Sequence, residues 1–68
     1  MNKSIFHILV VDDDNRIREL VKEYLEENNF LVTTAKDAIE AKKKLEIVKF
    51  DILILDIMMP AKRIISNE

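Results

Sequence analysis

Cysteine and glycine are both absent from the 68 residues, and there is one proline and one histidine. Without cysteine there is neither a disulfide nor a thiolate metal cluster, and His7 alone cannot hold a zinc ion. The lack of glycine excludes the glycine-rich first turn on which a dinucleotide-binding sheet seats a pyrophosphate. Neither sign of charge predominates. Acidic and basic residues are interspersed and the formal net charge is −2, so there is no electrostatic footprint for nucleic acid. The longest basic run, Lys42-Lys43-Lys44, is followed by Glu46 and reads as the wet face of a helix. No apolar stretch approaches the ~20 residues that span a bilayer. Lys3 and the run Ile5 to Val11 have the outline of a signal peptide. That run is short, contains His7, and ends in three aspartates instead of a small-residue cleavage site. The expected location is cytoplasmic.

What is present is an apolar fraction of 49%, that of a chain with a core rather than a disordered segment. At this length one domain is the maximum, and a single core supplies no more than ~3–5 kcal/mol. Ile5 to Val11 is nearly continuous in apolar, largely β-branched residues, which suits a strand covered on both faces. From Arg16 the period changes: Ile17, Leu20, Val21, Tyr24 and Leu25 share one face of a helix. Arg16, Arg18, Glu19, Lys22, Glu23, Glu26 and Glu27 take the other. Asp13 or Asp14 suits the helix N-cap, and Asn28-Asn29 supplies a left-handed stop in a chain without glycine. Phe30 to Thr34 is a second β-rich stretch. Asp37 opens a second helix running to about Ile47, with Ala38, Ala41 and Leu45 recurring and Ile39 beside them. Asp51-Ile-Leu-Ile-Leu-Asp56 is a third strand, apolar on both faces, and Pro60 ends it because proline donates no ladder hydrogen bond.

The order β-α-β-α-β, with helices of about 10–14 residues between strands, predicts an α/β fold with parallel pairing. Asp12, Asp13 and Asp56 each follow directly on an apolar run, at the carboxyl end of a strand. Ligands of open α/β sheets bind beyond those ends, where strand order reverses. If the third strand pairs with the first, Asp56 lies beside Asp12-Asp13, at a strand spacing of ~4.8 Å. Three carboxylates so close repel one another unless protons or a cation relieve them. A hard divalent ion such as Mg²⁺ takes such oxygen ligands. Taken singly, the same residues have ordinary roles: Asp14 a cap, Asp12 or Asp13 a cap, Asp56 a turn residue. Spacing alone leaves the metal site and these roles evenly balanced.

Ile8-Leu-Val-Val-Asp-Asp-Asp14, the amphipathic helix, and then Asp51-Ile-Leu-Ile-Leu-Asp-Ile-Met-Met-Pro60 together resemble the receiver domain of two-component response regulators. The similarity runs from about His7 to Pro60 and is closest to receivers of the winged-helix transcription factor class. The resemblance implies an incomplete doubly wound, flavodoxin-like sheet with strand order 2-1-3. It also implies that Asp56 is the phosphoacceptor, taking a phosphoryl group from a sensor histidine kinase, so that the chain is not itself an enzyme. Mg²⁺ would be held by Asp12, Asp13, the Asp56 carboxylate and the backbone carbonyl of Met58. No direct contact with nucleic acid or membrane is implied for this chain.

Departures from the family begin at Ala61. The segment Ala61-Lys-Arg-Ile-Ile-Ser-Asn-Glu68 does not continue the receiver pattern. The hydroxyl-bearing residue of the family's fourth strand and the lysine of its fifth have no counterpart, since Ser66 and Lys62 stand in the wrong place. The expectation is a receiver truncated after the phosphoacceptor loop, with residues 1–60 as a partial domain and 61–68 as an unrelated tail. The third strand then becomes an exposed apolar edge, which favours self-association. Two other readings stand beside the phosphoacceptor: a kinase-binding fragment without turnover, acting through the first helix, and an inactive remnant.

Overall fold

The computed structural model describes residues 5–56, with side chains through Leu55. Met58, Pro60, Lys62, Ser66 and the whole of 61–68 therefore lie outside the described residues, as does the Asp56 carboxylate. Five elements follow in order: β1 (His7–Asp12), α1 (Asn15–Glu27), β2 (Leu31–Ala35), α2 (Ala38–Ile47) and β3 (Ile52–Asp56). The strands form one parallel sheet in the order β2-β1-β3, so the α/β class and the 2-1-3 order both hold.

β1 is central, and its composition is the reason. Side chains alternate across a strand, so an unbroken apolar run supplies both faces. Leu9 and Val11 pack with Ala35, Ala41 and Phe50 on the α2 side. Ile8 and Val10 pack with Val32, Val21, Leu25, Phe30 and Ile54 on the α1 side. All four β1 side chains are exposed by 2% or less, and burying each is worth ~1.5–3 kcal/mol.

The helices are fixed at their ends by local chemistry. The Asp14 carboxylate caps α1 by accepting from the Arg16 and Ile17 amides at 2.9 and 3.2 Å. At the other end Asn29 adopts φ 70°. Its amide donates to the Glu26 carbonyl, and the Phe30 amide donates to that of Leu25. This is the Schellman arrangement, with Phe30 and Leu25 meeting in the same apolar cluster. Asparagine thus does here what glycine does elsewhere. In α2 the Asp37 carboxylate accepts from the Glu40 amide at 2.8 Å, while the Glu40 carboxylate accepts from the Lys36 amide at 2.7 Å. That is a capping box displaced by one residue.

Register between β1 and β3 is set at their amino ends. The His7 amide donates to the Asp51 carboxylate and the Asp51 amide donates to the His7 carbonyl, both at 2.8 Å. From there the pairing runs Ile8–Ile52 to Asp12–Asp56.

Coverage of the sheet is uneven. Both helices pack on β1 and β2, and neither packs against β3. Ile52, Leu53 and Leu55 are exposed, although their pattern is that of a central strand. The apolar face of α1 is also wider than what it buries. Val21 and Leu25 reach the core, whereas Ile17, Leu20 and Tyr24 stay exposed. In α2 only Ala41 is buried; Ile39 and Leu45 are exposed. Periodicity assigned these residues to a core face, but a three-stranded sheet is too narrow to cover that whole face.

With so little core in reserve, Leu9→Ala is expected to cost ~2–5 kcal/mol. That equals the whole stability a core of this size supplies, so far-UV circular dichroism under urea should show no cooperative transition for the variant.

Candidate functional site

β1 outlasts its apolar run by one residue, and that residue is Asp12. It lies at 3% exposure, the only charged side chain buried among the described residues. Its register partner on β3 is Asp56, so the backbone brings these two aspartates side by side at the carboxyl edge of the sheet. Asp13 follows at once.

The three consecutive aspartates do different things. Asp12 Oδ1 accepts from the Asp14 amide at 2.9 Å, which closes the turn. Asp14 is the helix cap and is occupied by two amides. Asp13 is exposed, and its carboxylate takes no hydrogen bond from any described residue. Among the described residues, the ion pairs are Lys22–Glu26 and Lys44–Glu40, both on helix surfaces. None neutralises Asp12 or Asp13. Burying a carboxylate without a countercharge is costly, and a bound cation would offset that cost. Hard oxygen donors, one of them unengaged, fit Mg²⁺. Asp12 and Asp13 alone do not make a cluster of three ligating side chains among the described residues; the third expected carboxylate, that of Asp56, lies outside them.

Two side chains near this edge that the helical pattern places on the wet face fold back onto strand ends instead. Arg18 is half-buried, and its guanidinium donates to the Asp12 carbonyl at 2.8 Å and to Asn15 Oδ1. Lys44 reaches the Thr34 carbonyl at 2.7 Å, near the carboxyl end of β2. Helical periodicity marks both as outward-facing, and nothing in spacing reveals that a long cation folds back on a strand end. His7 sits at the opposite end of β1, its Nε2 at 2.8 Å from Thr33 Oγ1 and its ring 4.4 Å from that of Phe50. It is a packing residue, remote from the acidic edge.

The family model of the response regulator receiver domain matches residues 8–63. The chain belongs to that family. Protein PetR of Rhodobacter capsulatus is 45% identical over 62 residues, covering 91% of this chain and 26% of that protein. The alkaline phosphatase synthesis transcriptional regulatory protein PhoP of Bacillus subtilis is 47% identical over 60 residues, covering 88% and 24%. The chain thus spans about a quarter of the length of these curated relatives. Among solved structures, the chemotaxis response regulator CheY4 of Vibrio cholerae superposes with a TM-score of 0.78 at 36% identity, covering 85% of this chain and 48% of that one. Receiver domains are signalling modules of two-component systems; they interact with sensor histidine kinases and typically bind Mg²⁺ at the phosphorylation site.

The division of labour within this receiver's acidic turn has a direct check. Asp14→Ala removes the acceptor for two helix-end amides and is expected to cost ~1 kcal/mol. Asp13→Ala touches no hydrogen bond and should change stability by less than ~0.5 kcal/mol. Urea midpoints measured without divalent cation compare the two.

Proposed function

We propose that this receiver is a phosphoacceptor: Asp56 takes a phosphoryl group from the phosphohistidine of a sensor kinase. A carboxylate oxygen forms a bond to phosphorus as the P–N bond to the imidazole breaks, and the departing nitrogen takes up a proton. The product is an acyl phosphate, with Asp as nucleophile. The observation that carries this reading is the pairing of Asp12 with Asp56 across two parallel strands, with Asp13 adjacent and unengaged. Asp12, Asp13, the Asp56 carboxylate and the Met58 carbonyl would hold Mg²⁺, which when bound offsets the repulsion between an anionic nucleophile and an anionic phosphoryl group. The chain's own contribution is to hold the carboxylates at one edge and to keep the Asp12 backbone in place. The chemistry is stoichiometric acceptance by the chain itself, not turnover.

The exposed stripe Ile17, Leu20 and Tyr24 on α1 begins beside this edge and favours a second component: contact with the kinase through α1. On this reading the partner touches α1 while its phosphohistidine reaches Asp56. A stripe of this kind would also support kinase binding without transfer, so binding and transfer are separable. In keeping with the net charge of −2, the chain itself is proposed to make no contact with nucleic acid. No described helix is long and apolar enough to cross a membrane, and a cytoplasmic location remains part of the proposal. Self-association through β3 belongs to it as well, since that strand offers exposed apolar side chains on a sheet edge.

Incubation with acetyl phosphate and Mg²⁺ should add one phosphoryl group by intact mass spectrometry. The gain should vanish in Asp56→Asn and on chelation of the metal. A phosphoryl gain retained in Asp56→Asn would refute the assignment. Leu53→Lys places a charge on the open face of β3 and should lower the sedimentation-averaged mass at high protein concentration. An unchanged value would refute association through that strand.

A further inference from the structure

Among the described residues, one cationic side chain is hydrogen-bonded into the acidic turn, and its placement is specific. Arg18 projects from α1 back across the turn to the last residue of β1. It donates to the main-chain carbonyl of Asp12 and to the side-chain oxygen of Asn15. Neither acceptor is charged, and no carboxylate of Asp12 or Asp13 forms an ion pair with it among the described residues. A guanidinium seated on either carboxylate would compete with a metal for the same oxygens. Seated on neutral acceptors, it leaves them open.

The other bonds of the turn show what this one adds. The Asp12 carboxylate holds the Asp14 amide, the Asp14 carboxylate holds the first free amides of α1, and the Arg18 amide donates to the Asp14 carbonyl at 2.9 Å. These fix residues 12–14 to the helix. Only the Arg18 guanidinium ties the end of β1 to the helix from the carbonyl side, where the Asp12–Asp13 peptide begins. The rigid planar fork of arginine is pre-organised to span two separated acceptors, whereas the ammonium of lysine is a compact point charge on a flexible stem.

We infer that Arg18 is the positioning residue of this site, holding the Asp12–Asp13 peptide so that both carboxylates present to one cation. The inference rests on reading Asp12 and Asp13 as Mg²⁺ ligands. Two effects of Arg18 oppose each other. Its charge alone weakens Mg²⁺ binding by repulsion, whereas its hold on the backbone strengthens it. Positioning is the larger effect here, because the guanidinium is directed at two neutral acceptors away from the carboxylate oxygens, while the hold on Asp12 is direct.

The test uses the whole chain, with Mg²⁺ alone as the probe, followed through the amide resonances of residues 12–15. Arg18→Gln is expected to weaken Mg²⁺ binding about tenfold, the factor that follows from losing one charge-assisted hydrogen bond. Hydrogen exchange at the Asp14 amide should rise by a similar factor while that of Val10 stays unchanged. Arg18→Lys keeps charge and helix propensity and should restore part of the affinity. Tighter Mg²⁺ binding by Arg18→Gln would mean that charge dominates, and would overturn the inference. So would an unchanged dissociation constant accompanied by a lower melting temperature, the mark of a merely structural residue. If the unsubstituted chain shows no Mg²⁺ response at all, the metal reading itself fails. A normal response there with no effect of Arg18→Gln sinks the Arg18 role alone.

Discussion

Ile8, Leu9, Val10 and Val11 have almost no contact with water because β1 has a strand on each side and a helix toward each face. Two helices and two outer strands share that one strip of apolar surface, and each is placed by its contact with it. The constraint continues one residue further. Asp12 is next along the same central strand, so it is buried for the reason its neighbours are, although it is charged. A fold that protects the middle of β1 thereby presents a carboxylate at its end.

Such a carboxylate is tolerated only if the surrounding dipoles and charges favour it. The turn supplies one amide, from Asp14, and places a guanidinium on the neighbouring carbonyl rather than on the carboxylate. Three adjacent residues of identical chemistry are thus separated into three roles by geometry. One is bound into the turn, one caps a helix and one is left unengaged. The nearby guanidinium is directed at neutral acceptors, which leaves Asp12 and Asp13 without an ion pair among the described residues.

The β3 flank of the sheet is the least covered among the described residues. β3 has the composition of a covered strand, yet neither helix packs against it. Ile17, Leu20 and Tyr24 leave a second apolar strip on α1. The Vibrio cholerae chemotaxis regulator superposes on this chain over only 48% of its own length, so the shared part is the half that carries the central strand and its acidic end. Within that half, the arrangement of the acidic edge needs only β1, β3 and the first turn of α1.

Much of this was legible in the residues. The unbroken apolar run of β1, the change of period at Arg16, and Asp14, Asn29 and Asp37 as helix punctuation are local signals. They held because caps and strand burial depend on side chains a few residues apart. Element ends moved by a residue or two, with β1 beginning at His7 and β2 at Leu31, where fraying and pairing compete. Pattern also marked Asp12, Asp13 and Asp56 as strand-end carboxylates, but adjacency of Asp12 and Asp56 depends on strand order, which periodicity leaves open and the sheet decides. The burial of Asp12 but not Asp13, the exposure of Ile17, Leu20 and Tyr24, and the inward turn of Arg18 come from packing. Each of these depends on what lies across space, on how wide the sheet is and where a strand ends beneath a helix. Local side-chain pattern set the elements and their chemistry; packing chose which side chains share an edge.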